Sequence, residues 1–297
     1  MYQTHMKYLP MTLVCLIFFI CCKDKIETTP TIEIDKKEDQ QKSIILSKVN
    51  TAGSTILARF SPPQDFIRKE VNNQSFASYL RNFPLLDSKE QVHLYDGQLK
   101  VNQDVHVSIL DIDVGDRDLQ QCADAVMRLR AEHLLGQKRY DDIAFNFTNG
   151  WKFEYSKWRS GNDLVVNGNN TKWKSGSAAK ESYEDFREYL DWVFMYAGTL
   201  SLSKELKPKK LEDIEIGDVF IYGGSPGHAV LVVDLAVDET SGDKAFLLAQ
   251  SYMPAQQIHV LKNPLNSSIS PWYLLSEIES SLTTPEWTFE KDDLMSF

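Results

Sequence analysis

Two apolar runs, residues 228–235 and 245–252, constrain the fold of this 297-residue chain more than any other feature. The first reads His228-Ala229-Val230-Leu231-Val232-Val233-Asp234-Leu235, and the second Ala245-Phe246-Leu247-Leu248-Ala249-Gln250-Ser251-Tyr252. Short apolar runs bounded by turn residues read as buried strands. The polar stretch 238–243 joins them, which predicts an antiparallel hairpin centred near Ser241. Residues 216–222 and 257–261 add strands on either side, and Gly223-Gly224-Ser225-Pro226-Gly227 is the turn that feeds His228. The final third is therefore β, and its tail, with Trp272, Tyr273, Trp287 and Phe289, is expected to wrap back over it.

The earlier chain alternates between short strands and helices. Residues 55–60 read as a strand, 75–81 as a short helix ended by Pro84, and 92–95 as a strand before the Asp96-Gly97 turn. Residues 143–147 and 151–155 flank Asn149-Gly150, a clear hairpin signal. Residues 158–177, rich in Gly, Asn, Ser, Lys and Trp, read as a long loop, and loops of that length are often functional. Trp158 and Trp173 are its candidates for lining a substrate groove, with packing that pins the loop as the alternative. Residues 182–199 form a helix with an apolar face of Phe186, Leu190, Val193, Phe194 and Ala197.

Between these lies an apolar strand, 105–112, that runs through a polar turn into a strong helix. Asp118 is the expected N-cap, with Gln121 three residues on as an approximate capping box. Cys122 then falls in the first turn, with Asp124, Arg128 and Glu132 directed away from the apolar face. Free backbone N–H groups and the helix dipole at that position favour a thiolate. Asp111, Asp113 and Asp116 cluster nearby without the spacing of a calcium loop and read as a solvated turn. No His/Cys spacing suggests a metal site, and nothing calls for a cofactor.

The N-terminus reads as a targeting segment. Lys7 precedes an apolar run from Met11 to Cys22, the length of a signal-peptide core and too short to span a bilayer comfortably. The run ends in Cys21-Cys22-Lys23-Asp24, which resembles a bacterial lipoprotein signal with Cys22, or Cys21, carrying the lipid. The expected organisation is a signal over 1–22, a solvated tether over 23–45 and one domain over 46–297. That places the domain in the cell envelope, lipid-anchored and facing the periplasm or cell surface, with the membrane as a partner. Three of the four cysteines belong to the signal, so the exported domain keeps only Cys122 and has no internal disulfide. A formal charge of −10 argues against a nucleic-acid partner.

Thiol catalysis needs a nucleophile, a base and a group that orients the base. Cys122 supplies the first and His228, at the rim of the sheet, the second. The hairpin register sets the start of the His228 strand opposite 250–253, so Gln250 (or Ser251) is the third. Gln121, or Gln120, joins the backbone N–H of Cys122 as an oxyanion donor. The competing reading makes Cys122 a small core residue and His228 a structural one.

These residues resemble a family. Gln121-Cys122 at a helix start, Gly217-Asp218 before a strand, Gly227-His228 opening the next and a polar residue in the strand after it resemble the papain-like CHAP and NlpC/P60 cell-wall amidases. The resemblance implies an α+β, papain-like fold: a Cys-bearing helix on an antiparallel β-sheet, here with extra N-terminal and inserted elements. It also implies Cys122 as nucleophile, His228 as general base and acid, and Gln250 as the orienting residue. Blocks 118–134, 217–234 and 248–261 also resemble a bacterial lipoprotein family catalogued only as a domain of unknown function. Two functions follow as expectations. One is a thiol hydrolase of amide bonds, with a peptidoglycan peptide or other envelope substrate. The other is a non-catalytic binding or scaffold module that keeps the fold.

Overall fold

The structure, a computed structural model, describes residues 49–176 and 178–297. The expected signal and tether, with Cys21 and Cys22, fall outside the described residues. In chain order the helices are α1 (Ile56–Arg59), α2 (Phe76–Arg81), α3 (Cys122–Gly136), α4 (Tyr155–Arg159), α5 (Tyr183–Tyr196) and α6 (Thr199–Glu205). The strands begin with β1 (Phe66–Arg68), β2 (His106–Ile109), β3 (Ala144–Asn146), β4 (Lys152–Glu154), β5 (Asn162–Asn167), β6 (Asn170–Ser175) and β7 (Lys207–Pro208). They continue with β8 (Val219–Tyr222), β9 (His228–Asp238), β10 (Lys244–Gln250), β11 (His259–Leu261), β12 (Tyr273–Leu274), β13 (Ser281–Thr283), β14 (Thr288–Glu290) and β15 (Leu294–Ser296).

Among the described residues nine strands form the main sheet, in the order β2-β11-β10-β9-β8-β15-β7, with β1 against β9 and β12 against β10. Every pairing within it is antiparallel. The class is mixed α+β.

The two apolar runs pair as β9 and β10, from Lys244 opposite Val237 to Ala249 opposite Leu231. Successive side chains in a strand point to opposite faces, and both faces here are covered. Ala229, Leu231, Val233, Leu247 and Ala249 face the helices, and α3 packs on β9. Val230, Val232, Phe246 and Leu248 face the other way, onto Leu282, Phe289 and Leu294 of the C-terminal segment. This two-sided burial is why the runs are apolar at nearly every position rather than at alternate ones. It also buries Asp234 completely, where Arg68 Nε at 2.7 Å and Arg81 Nε at 2.6 Å neutralise its two oxygens.

Three local expectations are corrected. Residues 55–60 hold a short helix, α1, because the Thr55 hydroxyl accepts from the Ala58 N–H and Ile56 and Arg59 turn inward. Residues 158–177 are not one loop: α4 is followed by the β5–β6 hairpin, turned by Gly168 at a φ of +57°. Along α3, Asp124 and Arg128 are buried instead of facing solvent. For Arg128 helix α5 supplies the reason, because its Tyr183 hydroxyl accepts from Arg128 and donates to Glu132. Arg128 also donates to Glu132, Gln120 and Asp113. Elsewhere local chemistry governs: Ser182 and Asp185 cap α5 reciprocally, and Gly150 turns β3 into β4 at a φ of +85°.

Candidate functional site

Helix α3 begins at Cys122 itself, and its cap, Gln121, lies three residues beyond the expected one, Asp118. Asp118 is diverted from the helix because its Oδ1 accepts from the Ala255 backbone N–H at 2.7 Å and from Gln121 Nε2 at 3.0 Å. Gln121 becomes the N-cap, with its own N–H held by Asp124 Oδ2 at 3.0 Å. Cys122 is thus the first helical residue and a buried free thiol.

The helix start alone does not produce a thiolate. Backbone N–H groups of Ala123, Ala229 and Cys122 itself favour the charged form, but burial outweighs them and the nearby Asp124 adds to it. The thiol is pushed up to about 11, the reverse of the shift expected from the helix terminus alone. Asp124 is pushed up to about 8 by burial, with Oδ1 unpartnered among the described residues.

His228 opens β9 opposite Tyr222, and its buried ring is packed by Tyr252, Trp287 and Phe289, with ring centroids 5.0, 5.5 and 5.8 Å away. Burial lowers its pKa to about 4, so the imidazole is neutral at pH 7. His228 Nε2 lies 2.8 Å from Gln250 Oε1. A carbonyl oxygen only accepts, so this nitrogen carries the proton. Nδ1 keeps its lone pair and has no hydrogen-bond partner among the described residues.

Cys122 and His228 line one cavity of about 480 Å3. Its walls include Gln121, Phe194 and Trp287, and the Gly224–Gly227 turn. That turn rides close over the start of α6: a Cβ on Gly227 would lie 2.3 Å from Thr199 Oγ1 and 2.5 Å from Gly224 O. The thiol and imidazole share this cavity without a direct hydrogen bond.

Of the residues singled out from the sequence, Cys122, His228, Gln250 and Gln121 converge. Gln121 reaches the cavity with one amide N–H on Asp118, while Gln120 turns away to accept from Arg128 at 3.0 Å. The His228 ring meets Gln250 and not Ser251, whose hydroxyl is engaged by the backbone oxygens of Gln120 and Gln256. Trp158 and Trp173 do not line this cavity. Trp158 is buried in the core with Nε1 donating to Asp185 O, and Trp173 packs against Trp151 and Phe153.

Three residues beyond these complete the surroundings. Gln250 Nε2 lies 2.7 Å from Glu286 Oε2 and 3.4 Å from His259 Nε2. Glu286 Oε1 in turn accepts from Lys100 Nζ at 2.7 Å. The only sequence hint of them was the placement of Trp287 in a tail wrapping over the sheet. Among the described residues no three His, Cys, Asp or Glu side chains converge as a metal site, and no helix is long and apolar enough to cross a membrane.

No curated protein and no solved structure matches this chain. A family match does cover most of it, residues 56–296, taking in α3, the whole main sheet and every residue of the cavity. The chain belongs to the family described as Domain of unknown function (4846).

Proposed function

We propose that the protein is a thiol hydrolase of amide bonds with a papain-like arrangement. The observation that carries this reading is the His228–Gln250 contact: with Gln250 Oε1 against Nε2, Nδ1 is left as the unpartnered nitrogen of a ring that lines the same cavity as the thiol. A buried imidazole needs a partner for its N–H in any case; what packing alone does not call for is the second nitrogen left without one on a ring that lines the thiol's cavity. In the proposed reaction Nδ1 draws the Cys122 proton as sulfur attacks the substrate carbonyl. The imidazolium then gives the proton to the departing amine, and water, deprotonated by Nδ1, cleaves the thioester. The Cys122 N–H and the second amide N–H of Gln121 are the donors for the oxyanion. With the thiol near about 11 and the imidazole near about 4, the resting pair is neutral. Proton transfer therefore accompanies attack instead of preceding it.

The substrate class we propose is the peptide of the cell wall, reached from the membrane through a lipid on Cys22 or Cys21. The support is the sequence of residues 11–24 and the resemblance of the Cys122 and His228 motifs to cell-wall amidases. Muropeptides incubated with the protein should yield new amine ends by mass spectrometry, and Cys122→Ala should yield none while keeping the wild-type circular dichroism spectrum. The competing binding-module reading draws on the resting neutral pair and on the absence of a direct thiol–imidazole hydrogen bond. It expects no turnover from either protein, and a loss of stability in Cys122→Ala.

A further inference from the structure

Gln250 can serve His228 in either of two orientations. With its oxygen toward the ring it demands the Nε2–H tautomer, and with its NH2 group toward the ring it demands Nδ1–H. The choice is made at the other end of the amide. There Gln250 Nε2 faces Glu286 Oε2 at 2.7 Å, and a carboxylate only accepts. Its second neighbour is His259 Nε2 at 3.4 Å. His259 Nδ1 faces the Gln257 carbonyl at 2.9 Å and must hold the proton, so its Nε2 also accepts. Both neighbours therefore want the NH2 group, and the closer, charged one binds it more strongly.

We infer that Glu286 is a positioning residue: with Lys100 on its far oxygen, it holds the Gln250 amide one way round and so fixes His228 as the Nε2–H tautomer. The tautomer lock stands independently of any activity, while its use to keep Nδ1 basic rests on the hydrolase reading above. Lys100 gives the arrangement a second control. Its ammonium has only donors and lies 2.7 Å from Glu286 Oε1, buried beneath the Tyr252 ring. If residue 286 were an amide, Lys100 would take the amide oxygen. The NH2 group would then face Gln250, two donors would oppose each other, and Gln250 would turn over. His228 would be forced to carry its proton on Nδ1, facing the cavity.

The test is a long-range 1H–15N correlation spectrum of the 15N-histidine-labelled protein at pH 7, with His228 assigned from its loss in His228→Gln. In the wild type, His228 should show a protonated Nε2 and an unprotonated Nδ1. Glu286→Gln should exchange the two signals and slow alkylation of Cys122. Lys100→Met/Glu286→Gln should restore the wild-type pattern, because the amide oxygen is then free to face Gln250. A purely structural role for Glu286 does not predict that reversal. Nδ1–H in the wild type overturns the inference without any variant, and so does an unchanged pattern in Glu286→Gln. A double variant that stays exchanged removes Lys100 from it. If the lock holds but no muropeptide is cleaved, the hydrolase reading falls and the lock remains.

Discussion

His228 Nε2 and Gln250 Oε1 meet at 2.8 Å across adjacent strands, with both side chains buried. The bond is therefore made where no water competes, and removing its acceptor leaves a buried N–H unpaired. Gln250→Met keeps most of the volume and should cost about 1–3 kcal/mol. Urea titration measures that loss. The same variant should slow Cys122 alkylation, because the ring is then free to change tautomer.

Acid should weaken the fold through the same ring. Burial lowers His228 to about 4 and His259 to about 3, against about 6.5 in an unfolded chain. Between those values the unfolded state binds more protons than the folded one. The stability they contribute is present above pH 6.5 and is lost as pH falls through 4 to 3, on the order of 3 kcal/mol for His228 and about 5 kcal/mol for His259. The urea midpoint should drop across that window, and His228→Gln should flatten its share of the drop.

Asp124 works in the opposite direction. Its carboxyl, pushed up to about 8, holds a proton more tightly in the fold than in the unfolded chain, so its contribution is present at low pH and is lost as pH rises from about 4 to 8. Asp124→Asn retains an oxygen for the Gln121 N–H, so it should stabilise the protein at pH 8 relative to wild type and much less at pH 4. It also removes a negative charge that raises the Cys122 thiol, so the alkylation midpoint should fall below about 11. A midpoint that does not move would show that Asp124 leaves the thiol untouched.

The double ion pair at Asp234 should be among the most sensitive sites in the chain. Asp234→Asn leaves Arg68 and the nearly buried Arg81 guanidinium without their shared counter-charge. Breaking a buried pair from one side costs about 3–5 kcal/mol. The midpoint in urea should fall by that loss divided by the slope, with the slope itself unchanged.

At Gly227 the argument is steric. An added methyl would meet Thr199 Oγ1 and two backbone oxygens, so Gly227→Ala must push the 224–227 turn off α6. A loss of about 1–3 kcal/mol is expected from such overpacking. Thr199→Ala should not rescue it, because Gly224 O and Tyr222 O, at 2.5 and 2.9 Å, remain in the way. Thermal melting of the single and double variants decides this.

Local chemistry carried far in the sequence. Ser182 with Asp185, Asn149-Gly150 and the two apolar runs each state their geometry within a few residues, and the structure follows them. The His228–Gln250 contact was legible for the same reason, since a hairpin register places one from the other. The rest depended on partners far along the chain. Asp118 is a good cap that Ala255 takes away, Trp158 is claimed by the core through Asp185, and Lys100 finds Glu286 at a separation of 186 residues. A polar loop and a two-stranded hairpin also look alike in residues 158–177, because β6 is largely exposed and offers no apolar alternation. Four residues of the candidate site were thus within reach of the sequence, and the groups that orient them were not.

The C-terminal segment that covers the second face of the sheet also sets an order in time. A chain is synthesised from its N-terminus, so Cys122, His228 and Gln250 all emerge before Glu286 and Trp287. Until that last stretch arrives, the Gln250 amide has no carboxylate to orient it and one side of the His228 ring is bare. Whatever this cavity does, a nascent chain that still lacks its last stretch presents it only half built.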